Sequence, residues 1–178
     1  MSKSRRHALG QHFLIDGEVA EHAIRLAELE PGARVLEIGP GRGALTDRLR
    51  AAGHPVVAVE LDDALADALE RRSDPGLTIV RGDFLRTDLD GLGDGPLPVV
   101  ANLPYSTGTA IVSRLLEQPG RFPRLVVMLQ LEVGQRLCAD PGSRSYGGLT
   151  VLCALHATAT MGFVVPPRAS SSIARPPG

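Results

Sequence analysis

Apolar and polar positions along this chain alternate between two rhythms. Residues 17–29 place Val19, Ala20, Ala23, Ile24 and Ala27 at helical spacing, and Pro31-Gly32 stops that element. Short apolar runs then alternate with helical stretches of about ten residues. ARVLEIG reads as a buried strand, ALTDRLRAAG as a helix closed by Gly53, and PVVAVELD as a second strand. DALADALERR is a helix opened by Asp62 or Asp63, and LTIVRGD and LPVVANLPY are the third and fourth strands. A helix over 108–118 and a fifth strand, RLVVMLQ, follow. GLTVLCALHATATM and FVVPP read as a closing hairpin-type pair. Strands alternating with helices in this way predict a doubly wound α/β sheet of parallel strands joined by right-handed crossovers. Ligands of such sheets bind outside the carboxyl ends of the strands.

The 178 residues fit one ordinary domain, and 43% hydrophobic content is enough for a core. A net charge of -1 excludes binding to nucleic acid by bulk positive charge but leaves room for a local basic face. No apolar run approaches the ~20 residues of a membrane helix, and MSKSRRHALGQ lacks the apolar core of a signal peptide, so a cytoplasmic location is expected. Cys138 and Cys153 have no metal or redox spacing and read as reduced core thiols. His22, His54 and His156 have no partners at catalytic or metal spacing, and no metal is expected. Tyr146 is expected to pack on the sheet, and Arg136, Arg144 and Arg168 to be solvated charges, with an RNA surface as the alternative.

Chemistry gathers where strands end. After the first strand, EIGPGRG lets the backbone turn sharply and approach a ligand at Gly39, Gly41 and Gly43. Read through Ala44 it also meets a relaxed dinucleotide fingerprint. Glu60, ending the second strand, can accept from ribose hydroxyls. Asp83, ending the third, can accept from an exocyclic adenine amine. The fourth strand ends in Asn102-Leu103-Pro104-Tyr105. An asparagine carbonyl and a backbone carbonyl beside a proline give two acceptors for an exocyclic NH2. Held there, the nitrogen lone pair leaves ring conjugation and can attack a sulfonium methyl in line. Tyr105 offers a face for the base, which must leave its stack to enter. Such a transfer needs neither a metal nor a strong base, because positioning and electrostatics supply most of the rate.

These residues resemble the ribosomal RNA adenine N6-dimethyltransferase family, and its small-subunit branch in particular. GQHFLID at 10–16, EIGPGRG, VELD, GDFL and NLPY stand in that family's order, joined by LQLEVGQRL, SRSYGGLTV and FVVPP. The resemblance implies a Rossmann-like methyltransferase fold: a mostly parallel seven-stranded sheet, helices on both faces and an antiparallel closing strand. It implies S-adenosyl-L-methionine as cofactor, held by His12, Leu14, Gly39, Gly41, Glu60, Asp83 and Asn102. Asn102, Leu103, Pro104 and Tyr105 would serve the target adenine. The implied partner is small-subunit (16S) rRNA or a pre-30S particle, the implied role is ribosome biogenesis, and the protein is expected to be a monomer.

The expected organisation is a basic, cofactor-covering arm at 1–16, a catalytic domain at 17–168 and an unstructured tail at 169–178. Three features depart from the family. Ser106-Thr107-Gly108-Thr109 replaces Asn-Ile-Ser-Thr, Ser170 stands where an aromatic lid is usual, and the helical C-terminal RNA-recognition domain is not among these residues. A frameshift near residue 169 would account for the last two. Two other functions compete with methyl transfer. One is a catalytically weak cofactor- and ribosome-binding domain. The other is a nicotinamide oxidoreductase, which shares the glycine loop and Glu60 but leaves NLPY unexplained.

Overall fold

The structure, a computed structural model, describes residues 17–165. The basic arm with His12 and Leu14, Arg168, the tail and the lid position therefore lie outside the described residues.

The chain opens with α1 (Gly17–Ala27), β1 (Val35–Ile38), α2 (Ala44–Ala51), β2 (Val56–Glu60), α3 (Asp63–Glu70) and β3 (Leu77–Arg81). A 3-10 turn at Asp90–Leu92 precedes β4 (Val99–Asn102), α4 (Gly108–Leu116), β5 (Leu125–Met128), α5 (Leu131–Leu137) and α6 (Gly148–His156). The five strands form one sheet in the order β3-β2-β1-β4-β5, and every pair is parallel. The chain grows outward from β1 to β3, then returns to the other side of β1 for β4. That reversal makes the β1/β4 boundary the switch point, where a crevice opens.

Period-two alternation divides the core between the two faces. Leu36, Ile38, Val57, Val59, Val99 and Ala101 point to the face covered by α4, with Ile111, Val112 and Leu115 packed on them. Val35, Val56, Ala58 and Val100 point the other way, toward α1 and α2. Burial on both faces explains why these strands are near-continuous apolar runs. A fully buried leucine such as Leu36 or Leu115 contributes about 1.5–3 kcal/mol by leaving water. On α1 the buried positions are Ala20, Ala23 and Ala27, small side chains that let the helix lie close.

Local signals set several boundaries as expected. The Asp62 side chain caps α3, accepting from the N–H groups of Ala64 and Leu65 at 2.9 and 3.2 Å. Gly53, at φ 88°, closes α2. Helix α1 ends at Ala27, earlier than Pro31-Gly32 suggests, because Glu28 adopts a left-handed φ of 45° and turns the chain. Cys153 is buried and Cys138 half-buried; burial raises both thiol pKa values and keeps them protonated. His54 is a core residue whose Nδ1 lies 3.1 Å from the Ala33 carbonyl.

Three expectations are corrected and one helix is added. Residues 148–156 form α6, not a strand, and 157–165 pair with no strand among the described residues. A nine-residue apolar run fits a buried strand or a helix equally, and here Thr150 and Cys153, three apart, are the buried pair. The described sheet consequently has five strands, with no antiparallel closing strand. Helix α5, within LEVGQRL, was not foreseen, because it buries no residue fully and carries no clear apolar stripe. Tyr146 stands 43% exposed beside Arg144 instead of packing on the sheet.

Candidate active site

A cleft with about 1200 Å³ of empty space, its open mouth included, lies across the carboxyl ends of β1, β2, β3 and β4. It brings together Gly39, Gly41, Glu60, Asp83, Asn102, Leu103, Pro104 and Tyr105, every described residue expected at the site.

The glycine loop is the floor. Gly39 continues the β1 ladder by donating to the Val59 carbonyl at 2.9 Å, then turns at φ 69°. Gly41 also has a left-handed φ, 59°, a conformation L side chains rarely adopt. Its N–H does not point to an open anion site. It donates to Glu60 Oε2 at 2.9 Å, while Glu60 Oε1 accepts from the Asp62 N–H at 2.8 Å. Glu60 is 4% exposed, so its carboxylate locks the end of β2 to the loop after β1 and keeps lone pairs for a further donor.

Asp83 is held similarly. Its Oδ1 accepts from the Leu85 N–H at 2.9 Å and its carbonyl from the Thr87 hydroxyl at 2.9 Å. Arg114, reaching back from α4, donates to the carbonyls of Phe84 and of Thr87, the latter at 2.6 Å, with its guanidinium 5.3 Å from the Phe84 ring centre. This clamp positions the Asp83 loop. It was invisible in sequence because it joins positions 27 to 30 apart through tertiary packing.

On the opposite wall, β4 stops at Asn102, level with Met128 of β5. The Leu103 N–H donates to the Met128 carbonyl at 3.1 Å and its side chain is buried. The Pro104 carbonyl accepts from Thr107 and Gly108 at the start of α4. Neither the Asn102 amide nor the Leu103 carbonyl has a hydrogen-bond partner among the described residues, so both remain available as acceptors. Tyr105 is 51% exposed at the mouth.

Glu37 also lines the cleft, a position that the strand-end pattern does not single out. The signal was a carboxylate inside a strand otherwise wholly apolar, VLEI, with all four residues buried. Burial pushes its pKa up to about 8, against the Thr46 hydrogen bond, which lowers it; Asp47 and Glu60 push it further up. The Thr46 hydroxyl donates to Oε2 at 2.7 Å. Leu61, 64% exposed, is a second addition, an apolar surface beside Glu60.

The site can thus hold an adenosine by ribose and base, with carboxyl groups rather than cations around the middle of the ligand, and offer paired acceptors to an amine. Among the described residues no group of three or more His, Cys, Asp or Glu could hold a metal ion, and no helix is long and apolar enough to cross a membrane.

A doubly wound sheet with these strand-end residues defines a Rossmann-like methyltransferase fold. The ribosomal RNA adenine dimethylase family matches residues 2–177, and the chain belongs to that family. It is 46% identical to the ribosomal RNA small subunit methyltransferase A of Geobacter sulfurreducens, over 91% of this chain and 61% of that protein. It is 45% identical to the protein of the same name from Thermosynechococcus vestitus, over 92% and 63%. The chain therefore spans about three-fifths of the length of these relatives. Among solved structures, a dimethyladenosine transferase from Plasmodium falciparum superposes with a TM-score of 0.70 at 25% identity, over 81% of this chain and 52% of that one. The 23S rRNA methyltransferase ErmE gives 0.61 at 32%, over 73% and 52%.

Proposed function

We propose that this chain transfers methyl groups from S-adenosyl-L-methionine to the N6 amine of adenines in small-subunit ribosomal RNA. The observation that supports the reading is a single cleft lined by Asn102 and Leu103 together with the glycine loop that Glu60 seals. The names of the relatives, small-subunit rRNA methyltransferases and a dimethyladenosine transferase, support the substrate.

The residues fit the donor. Gly39 and Gly41 would carry the backbone past its amino-acid portion, Glu60 would accept from the ribose hydroxyls, and Asp83 from the adenine amine. His12 and Leu14 would complete the cover by family resemblance. When bound, the donor supplies an activated methyl on a sulfonium. The Glu60 carboxylate at the loop suits a cation better than a diphosphate, and the Glu37 carboxyl beside it, protonated by its burial, adds no positive charge that would draw phosphates. The Gly41 N–H, which a dinucleotide's phosphates would need, is already occupied by Glu60. That argues against a nicotinamide oxidoreductase.

Asn102 Oδ1 and the Leu103 carbonyl would accept the two N–H bonds of the target amine and direct its lone pair at the methyl. As the N–C bond forms, the C–S bond breaks and its electrons stay on sulfur; the amine then releases a proton to water. Pro104 restricts the turn, and Tyr105 would stack on the base, worth about 1–3 kcal/mol.

Incubating the purified chain with methyl-labelled donor and immature small subunits, then digesting the rRNA to nucleosides, tests the proposal. Label is expected in N6-methylated adenosine. Label in another nucleoside, or none in RNA, overturns the assignment.

A further inference from the structure

Past the end of β5 the rim carries a second hollow that the chemistry above does not use. It holds about 530 Å³, its open mouth included. Its walls are Arg136 from α5, Arg144, Ser145 and Tyr146 from the following loop, and the first turn of α6. Both arginines are exposed, and neither guanidinium has an ion-pair or hydrogen-bond partner among the described residues. Arg48, Arg50, Arg72, Arg81 and Arg124 each pair with a carboxylate, and Arg114 and Arg121 are taken up by backbone carbonyls. Arg25, Arg34, Arg71 and Arg86 also have no side-chain partner among the described residues, but none of them lines the hollow. Glu132 and Asp140 lie on the same stretch of chain, but neither lines the hollow. Two uncompensated cations at one concavity mark a place for an anion.

The surrounding backbone is fixed. Thr150 Oγ1 accepts from the Gly147 N–H at 3.2 Å and donates to the Arg136 carbonyl at 2.5 Å, tying the start of α6 to α5. Gly147 has no side chain to cap the N–H groups that follow, so the first turn of α6 keeps donors available at the wall.

The position in the fold says which anion. Strand β5 neighbours β4, with Met128 beside Asn102, and α5 begins three residues after Met128. Helix α6 packs on α5 and on α4, and α4 starts just after the Asn102–Tyr105 turn. The hollow therefore belongs to the β4/β5 side of the molecule, the side that carries the Asn102–Tyr105 turn, away from β2 and β3. Tyr146, 43% exposed at its edge, gives a flat face next to the cations, a pairing that suits a single strand carrying both phosphates and bases.

We infer that the hollow seats a backbone phosphate of the RNA strand that delivers the adenine, with Arg136 and Arg144 on either side of it and Tyr146 against a neighbouring base. The inference rests on the RNA reading above. With a net charge of only -1 on the chain, such a local contact carries a disproportionate share of RNA affinity.

The test compares the full chain with its R136Q/R144Q and R136K/R144K forms. Binding of a small-subunit rRNA fragment is measured across a salt series, alongside binding of inorganic phosphate and of S-adenosyl-L-methionine. The glutamine pair should weaken RNA binding about tenfold and reduce the log–log salt slope by about 0.7, the share of one single-strand phosphate. Donor affinity should be unchanged and the lysine pair should keep the slope. An unaltered slope in the glutamine pair, with the parent chain binding and methylating RNA, overturns the inference and leaves the proposed function standing. A parent chain that neither binds nor methylates RNA overturns both. Loss of phosphate binding alone would define a free-anion site, and equal loss of donor affinity a general structural defect; either result overturns the inference.

Discussion

The two halves of the sheet's carboxyl rim are built on different plans. At the ends of β1, β2 and β3, polar groups are buried and already hydrogen-bonded within the protein. Glu60 takes two backbone N–H groups, Glu37 takes the Thr46 hydroxyl, and the Asp83 loop is gripped by Arg114. At the ends of β4 and β5 the polar groups wait. The Asn102 amide, the Leu103 carbonyl, Arg136 and Arg144 find no partner for these groups among the described residues. A small ligand can be met by a preorganised pocket, whose rigidity lowers the entropic cost of binding. In the proposed reaction a target base drawn out of a nucleic-acid stack would supply its own partners on arrival, which would account for the half of the rim left unsatisfied.

Removing one group from each half separates them. Asn102→Ala should lower methyl transfer about 100-fold or more, the usual loss when one preorganised polar contact to a reacting group goes. Donor affinity, measured by calorimetry, should change only a few-fold; an equal fall in both would erase the division between the halves. Glu60→Ala should act the other way. Donor affinity should fall at least about tenfold, and the denaturant midpoint should show a stability loss of about 2–3 kcal/mol from two orphaned N–H groups. Unchanged stability would mean that the Glu60 contacts do not hold the loop.

The smallest effect concerns pH. Glu37 has its carboxyl pKa raised by burial from 4.5 to about 8, so the folded state keeps a proton that the unfolded chain has released. Stability from this group is full below pH 4.5, declines as pH rises toward 8, and is lost above it. Glu37→Gln cannot titrate, so its melting temperature should fall less than the parent's across that window. Parallel curves for the two proteins would show that Glu37 contributes no pH dependence.

Much of the cleft was legible in the sequence, because strand ends in a doubly wound sheet coincide with breaks in apolar runs, and Gly39, Glu60, Asp83 and Asn102 stand at those breaks. The closing strands misread for a physical reason. GLTVLCALH is apolar at most positions, and only the packing of Thr150 and Cys153 selects a helix. Helix α5 leaves little trace in the sequence because it lies at the surface and buries no residue fully. The Arg114 clamp depends on α4 crossing the Asp83 loop, which no local pattern encodes. The convergence of Arg136 and Arg144 likewise needed the α5–α6 turn to bring residues eight apart into one concavity.

The segment after α6 returns across the molecule and stacks Phe163 on His22 of α1, ring centres 4.2 Å apart and planes within 7°. Nearby, Gly162 sits close against the end of the Leu26 side chain. Helix α1 in turn packs on β4 and β5. The first and last described parts of the chain are therefore latched together. Breaking that one stack would loosen α1 and the segment after α6 in a single event.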